Sequence, residues 1–291
     1  MDDAIRKAEA LVEALGYIRT FRDRLTVIKL GGSAMEEADA LRATLQSVVF
    51  LETVGLRPIL VHGGGKPIDR AMAAAGLVPK KVQGRRYTDD ATLNIVVDVL
   101  TNDINAGIVR QIRELGGRAV GLHTNTLQAL YGERLTLPNP GGQPIDLGHV
   151  GQVTRVDGGL VTDFANAGVV PVIPSLAYDA SGRWLNVNAD TAACAVAGEL
   201  KAAKFVLLSD TPGILKNPKD PTSLITHLDS AACRQLVTDG VIDGGMLPKV
   251  EACFEALRAG VGKVHVIDGR RKYSLLLEIF TDKGVGTEIV L

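Results

Sequence analysis

Apolar residues recur along this chain at two periods that alternate with each other. The first segment, Asp2 to Leu15, carries Ile5, Ala8, Leu11, Val12 and Leu15 at helical spacing, and Gly16 follows as a C-cap. Such a helix has one apolar face, which either packs on its own domain or meets a second subunit. Leu25 to Leu30 is apolar and β-branched except for Lys29, the pattern of a buried parallel strand. Gly31-Gly32-Ser33 then makes a turn, and Ala38 to Gly55 returns to helical spacing. Arg57 to His62 reads as a second strand, followed by Gly63-Gly64-Gly65 and a helix from Lys66 to Gly76.

Further along, a long helix is expected from about Asp90 to Leu115 and a short strand from Arg118 to Leu122. Between Thr124 and Asp157 the pattern shortens to hairpins, with turns at Asn139-Pro-Gly-Gly142, Asp146 and Asp157-Gly158, as in a flap over a sheet edge or site. Strands at Val169 to Pro174, Trp184 to Val187, Lys204 to Ser209, Lys263 to Ile267 and Gly286 to Leu291 alternate with helices at Val161 to Ala167, Thr191 to Leu200, Asp229 to Asp239, Met246 to Ala259 and Ser274 to Phe280. Asp243-Gly244-Gly245 is a turn between two of those helices. The alternation predicts a three-layer α/β fold, an αβα sandwich with a mostly parallel central sheet.

Each strand–glycine–helix junction aims backbone N–H groups at one spot, which favours an anion and above all a phosphate. Lys29 stands at the carboxyl end of the first strand, where ligands bind in open α/β sheets. An ammonium there is costly unless it finds a negative partner. Two such junctions suggest a ligand held between two anion-binding turns. Neither has the Walker spacing, and no Gly-x-Gly-x-x-Gly fingerprint is present. Asn188 or Asp190 can cap the helix that starts at Thr191.

Composition narrows the partners. The chain has 291 residues, 46% of them hydrophobic, and a net charge of -1, which argues against nucleic acid or an anionic membrane as the main partner. Its three cysteines, Cys194, Cys233 and Cys253, have no metal-ligand spacing and fit a reducing compartment. The start of the chain is charged, and no apolar run is long enough to span a bilayer, so a cytoplasmic protein is expected.

Seven ordered motifs resemble the amino-acid kinase family over nearly the whole chain. They are Ile28-Lys-Leu-Gly-Gly32, Val61-His-Gly-Gly-Gly65, Gly84-Arg-Arg-Tyr-Thr88, Gly148-His-Val-Gly151, Asn186-Val-Asn-Ala-Asp190, Leu208-Ser-Asp-Thr-Pro-Gly-Ile-Leu215 and Gly245-Met-Leu-Pro-Lys249. The resemblance implies the amino-acid kinase fold, with an N-terminal helix (1–22) for assembly and regulation and a kinase domain (23–291). Within that domain it implies an acceptor-binding lobe to about 175 and an ATP-binding lobe from about 176. It implies ATP-dependent phosphorylation of the γ-carboxylate of N-acetyl-L-glutamate, a step of arginine synthesis. A carboxylate with a pKa near ~4.3 is already ionised at neutral pH, so no general base is required.

By that resemblance Lys29 and Lys249 stabilise the transferring phosphoryl group from its two sides, and Asp190 orients both ammonium groups. Gly31 and Gly32 offer N–H groups to the γ-phosphate. Gly64 and Gly65 cradle the reacting carboxylate, Arg86 pairs with the α-carboxylate, and Asn186 reads the same amino-acid moiety. Asp210, Thr211, Pro212, Gly213, Ile214 and Leu215 wall the nucleotide. Mg²⁺ is held mainly by nucleotide and water, with no protein ligand named.

The resemblance extends to inhibition by L-arginine, through Tyr17, His265, Glu278 and Gly284 in the segments His265 to Arg270 and Leu277 to Thr287, and to a homohexamer built as a trimer of dimers. Tyr273 departs from that pattern, which often has histidine there. Sibling kinases for carbamate, glutamate, aspartate or uridylate are the near alternatives. The Arg86 loop and Asn186 favour an acylated amino acid, and the chain's end near Leu291 counts against an aspartate kinase. A catalytically silent arginine-binding regulator is the rival from another class, and retention of Lys29, Asp190 and Lys249 together counts against it.

Overall fold

The computed structural model describes residues 1–124, 127–139, 141–217, 219–242, 246–281 and 284–291. The turn expected at Asp243-Gly244-Gly245, Pro140 within the Asn139 turn, and Asp282 and Lys283 of the proposed regulatory segment lie outside the described residues. Helix α1, Asp2–Phe21, runs past Gly16 rather than ending there. Its Tyr17, Ile18 and Phe21 pack on the body of the protein, and that packing carries the helix through the glycine. Its first turns find no such cover: Ile5, Leu11, Val12 and Leu15 are exposed.

The elements then alternate as the sequence predicts: β1 Leu25–Leu30, α2 Ala38–Thr53, β2 Arg57–His62, α3 Gly65–Ala74, a hairpin of β3 Lys81–Val82 and β4 Arg85–Arg86, and α4 Asp90–Asp98. The helix expected from Asp90 to Leu115 is interrupted by one widened, π-helical stretch, Val99–Asn105, before it continues as α5, Ala106–Glu114. After β5 Ala119–Gly121 come the short strands β6 His123–Thr124 and β7 Leu127–Gln128, then β8 Leu130–Arg134 and β9 Val150–Val156. Next are α6 Gly158–Asn166, β10 Val170–Pro174, β11 Leu176–Tyr178, β12 Trp184–Val187, α7 Ala189–Glu199 and β13 Lys204–Ser209. The chain closes with β14 His227–Leu228, α8 Ser230–Thr238, α9 Leu247–Arg258, β15 Lys263–Asp268, α10 Ser274–Ile279 and β16 Thr287–Ile289.

Eight of these strands form one sheet in the order β14-β16-β15-β13-β1-β2-β10-β5. It is parallel from β15 to β5, and β16 joins β15 antiparallel. Successive side chains of a strand face opposite ways. Val27, Ile59, Val61, Phe205 and Leu207 therefore pack under α6, α7 and α9, while Ile28, Leu60, Val206 and Leu208 pack under α2, α5 and α10. That is the expected three-layer sandwich. The hairpin region does more than flap: β8 and β9 close with β11 and β12 into a small four-stranded barrel. Sequential order runs outward from β1 through β2 on one side, and β13 returns to its other side. Such a reversal of strand order opens a crevice at the carboxyl ends of the strands. Among the described residues, no helix is long and apolar enough to cross a membrane.

Candidate active site

Lys29 sits one residue from the end of β1, level with Val61 of β2 and Leu207 of β13, at the centre of the sheet. Its aliphatic stem is buried with the strand, and its ammonium must be neutralised. Helix α7 supplies the partner. Asn188 caps that helix, its side-chain oxygen accepting from the N–H groups of Asp190 and Thr191 at 2.9 and 3.1 Å. Of the two caps the sequence allows, Asn188 is therefore the one used, and the Asp190 carboxylate is left to face the sheet. Asp190 Oδ1 lies 2.8 Å from Lys29 Nζ, and Lys249 Nζ on α9 donates to Oδ2 at 2.9 Å.

Burial pushes the Asp190 carboxyl up, but the ammonium groups of Lys29 and Lys249 outweigh it and hold the pKa at about 2. The carboxylate is thus charged at any working pH, and it fixes two cations on either side of itself. Next to it, a Cβ at Gly31 would fall on the Lys29 ammonium and push it from its place against Asp190. The chain continues into a short helical turn, Gly32–Met35.

Two clefts meet at this cluster. One, of about 530 Å³, is lined by Leu208, Ile214, Leu215, Val241, Ile242 and Met246 with Asp210, Thr211 and Gly213 at its edge. It is mostly apolar and ends on Lys29, Gly31, Gly32 and Lys249. The other, of about 260 Å³, is lined by Gly64, Gly65, Lys81, Arg85, Arg86, Ser175 and Asn186, and it also ends on Lys29, Gly31 and Gly32. Of the residues expected around a nucleotide, Pro212 alone does not line the first cleft. Val241, Ile242 and Met246, in the segment between α8 and α9, do line it and were not foreseen, because apolar residues look alike in sequence whether they face a core or a ligand.

Arg86 is fixed before any ligand arrives. Its guanidinium lies 2.6 Å from Asp69 of α3 and donates to the Gly65 carbonyl at 3.1 Å. Asn186 is held by Thr88, whose hydroxyl accepts from its side-chain amide at 3.0 Å. Lys81 and Arg85, on the same hairpin as Arg86, add positive charge that the sequence reading did not count.

A third cavity, of about 590 Å³, gathers Tyr17, His265, Glu278 and Gly284. Glu278 Oε1 is 2.7 Å from His265 Nδ1, and its Oε2 accepts from the N–H groups of Val285 and Gly286 at 2.7 and 3.0 Å. Lys204 enters the same wall 3.3 Å from His265 Nε2, with its ammonium 4.5 Å from the centre of the Phe21 ring. The sequence reading missed Lys204 as a lining residue. Tyr273 does not reach this cavity; its hydroxyl donates to Gln46 of α2 at 3.2 Å.

The chain is similar to known proteins over nearly its whole length. The sequence profile of the amino acid kinase family matches residues 24–268. A protein of Heliobacterium modesticaldum named acetylglutamate kinase is 45% identical over 292 residues, covering 99% of each chain. One of the same name from Thermoanaerobacter pseudethanolicus is 44% identical over 287 residues, covering 99% of this chain and 94% of that one. Among solved structures, N-acetylglutamate synthase from Neisseria gonorrhoeae superposes with a TM-score of 0.84 at 24% identity, over 98% of this chain. This chain spans 63% of the synthase's length, so that likeness concerns the shared fold alone.

The Asp190 cluster has a consequence for stability. The folded-state pKa of about 2 lies below the carboxylate's ordinary 3.8. The stabilisation is therefore complete above pH 3.8 and is lost as pH falls through 2. Its size is about 2 kcal/mol. Denaturant titrations should show the stability difference between wild type and Asp190→Asn shrinking as pH is lowered through this window. A difference that does not change with pH would contradict the pairing.

Proposed function

The chain belongs to the amino acid kinase family, and we infer that it transfers the γ-phosphoryl group of ATP to the γ-carboxylate of N-acetyl-L-glutamate, a step of arginine biosynthesis. The observation that carries this reading is the meeting of two unlike clefts at Lys29, Gly31 and Gly32, with Lys249 lining one cleft and its partner Asp190 the other. The apolar cleft suits a purine and the cationic one a small dicarboxylate. The names and the 45% and 44% identities of the two full-length relatives support the choice of acceptor.

Gly31 and Gly32 receive the γ-phosphate, and Asp210 to Leu215 take the adenosine. Gly64 and Gly65 hold the reacting carboxylate, Arg86 pairs with the α-carboxylate, and Asn186 reads the amide side. A carboxylate oxygen attacks the γ-phosphorus while the bond to the β-phosphate oxygen breaks and its electron pair leaves with ADP. No proton moves. The obstacle is the approach of an anion to a polyanion, and preorganised cations on both sides of the transferring group lower it. Asp190 contributes by position, keeping the two ammonium groups apart and aimed. Both its oxygens are engaged by lysines, which fits a Mg²⁺ carried by phosphate oxygens and water rather than by this carboxylate. When bound, that ion neutralises phosphate charge. In this reading an acceptor lobe runs to about 175 and a nucleotide lobe from about 176; Asn186 to Asp190 of the second also line the acceptor cleft, and Lys29, Gly31 and Gly32 of the first also line the nucleotide cleft.

L-Arginine is the proposed ligand of the third cavity. Glu278 and the carbonyl side of Gly284 suit a guanidinium, and Lys204 suits a carboxylate. Because α1 forms one wall through Tyr17 and Phe21, and its first turns expose Ile5, Leu11, Val12 and Leu15, the same helix can pair with a neighbouring copy. A trimer of dimers joined by these helices couples occupancy of the cavity to the arrangement of the subunits. Three buried cysteine thiols fit a reducing cytoplasm.

Arg86→Lys keeps the charge and loses the planar fork. It should raise KM for N-acetylglutamate about tenfold and leave KM for ATP unchanged. In a coupled assay with N-acetylglutamate, glutamate and carbamate as acceptors, the wild-type chain should turn over the first. Preference for either other acceptor, or a defect confined to ATP, would reject the reading. Deleting residues 1–22 should leave an active dimer that arginine does not inhibit. A truncated protein that is still a hexamer by light scattering, or still inhibited, would break the link between helix, assembly and regulation.

A further inference from the structure

The residue before the acceptor glycines is a fully buried histidine that the transfer chemistry does not use. His62 ends β2, with Nδ1 3.2 Å from the Gly63 carbonyl and Nε2 3.0 Å from the side-chain nitrogen of Asn105. Asn105 is the last residue of the π-helical stretch Val99–Asn105. A widened turn shifts the side chains that follow it relative to a regular helix, and such turns concentrate at functional sites. Here the stretch brings the amide of Asn105 to His62, and its Leu100 and Ile104 close on Gly64. A Cβ on Gly64 would meet Ile104 Cδ1 at 2.7 Å and Leu100 Cδ2 at 2.8 Å.

The proton on His62 can be located from its neighbours. The side-chain nitrogen of Asn105 also donates to the Val172 carbonyl at 3.0 Å. A carbonyl only accepts, so the group facing it is the NH₂. That same NH₂ faces His62 Nε2, which must then be the bare nitrogen. The ring hydrogen sits on Nδ1 and is donated to the Gly63 carbonyl. Burial, opposed by this bond to Gly63, pushes the imidazole pKa down to about 4, so the ring is neutral at neutral pH.

The peptide joining Gly63 to Gly64 is planar, and its N–H points opposite to its C=O. Fixing the Gly63 oxygen therefore fixes the direction of the Gly64 N–H. We propose that His62, locked in one tautomer by Asn105, is a positioning residue for the acceptor: its Nδ1–H holds the Gly63 carbonyl and so aims the Gly64 N–H at the reacting carboxylate. This rests on the acceptor reading above, in which Gly64 cradles that carboxylate. Glycine turns freely about its backbone bonds, and three in succession would sample many directions without such a tie. The backbone N–H of Ser175 donates to the His62 carbonyl at 2.9 Å, so the histidine's own main chain is also fixed.

Two substitutions separate the two ring nitrogens. In His62→Asn the amide can take the place of Nδ1 and keep the donor to Gly63. In His62→Gln it can take the place of Nε2 and keep only the link to Asn105. His62→Gln should raise KM for N-acetylglutamate about tenfold with KM for ATP within about twofold, and His62→Asn should stay within about twofold for both. A merely structural role would lower the melting temperature in both without this split. In parallel, ¹⁵N NMR of wild-type protein labelled at histidine should show His62 as the neutral Nδ1–H tautomer. Equal acceptor KM in the two variants, a rise in ATP KM as large as that for the acceptor, or an Nε2–H tautomer would each overturn the proposal. The tautomer measurement needs no variant and decides the matter if either substitution prevents folding. Failure of the acceptor reading would show differently, as a wild-type chain that does not turn over N-acetylglutamate.

Discussion

The structure depends on a carboxylate held between two ammonium groups at the end of a parallel sheet. Lys29 comes from the central strand, Asp190 from the first turn of α7, and Lys249 from α9. Each would be costly to bury alone, and removing one would leave the others uncompensated. Together they place two positive charges and one negative charge within a site whose three side chains are at most 20% exposed. Water therefore screens them weakly, and their field acts on whatever occupies the gap between the clefts.

The fold makes that cluster possible through its topology. The return of β13 to the far side of β1 opens the crevice at the strand ends. Helix α7, capped by Asn188, points its amino end into the same crevice, so its dipole adds to the pull on an anion. The cleft that holds Arg86 and Asn186 is rigid in a different way. Arg86 is pinned by Asp69 and Gly65, Asn186 by Thr88, and the Gly63 carbonyl is met by His62, which Asn105 holds from its other side. The ligand thus meets groups that need little reorganisation, which is where a preorganised site gains its advantage.

Much of this was legible in the sequence because it lies in local pattern. The change from strand to helical spacing across Gly31-Gly32 and Gly63-Gly64-Gly65 marked both strand–glycine–helix junctions, and the αβα layering followed from the alternation. What escaped reading depends on contacts between distant segments. The π-helical stretch has an unbroken helical pattern, and its widening brings Asn105 to His62, 43 residues earlier. The barrel closes only because β11 and β12 return to β8 and β9, so the hairpins alone looked like a flap. Helix α1 outran its glycine because Tyr17, Ile18 and Phe21 found an apolar seat. Asp69 and Lys204 are ordinary charged residues until the fold sets them against Arg86 and His265.

If the charge cluster is the transfer centre, loss of either lysine should lower turnover by more than the accompanying loss of stability explains, since both ammonium groups open onto the clefts. The most direct measurement is kcat of purified Lys29→Ala and Lys249→Ala, each checked by circular dichroism for a native spectrum. The account predicts a loss of at least ~10²-fold in each, the scale of removing one preorganised charge at a transition state. Near-normal turnover in either folded variant would contradict it.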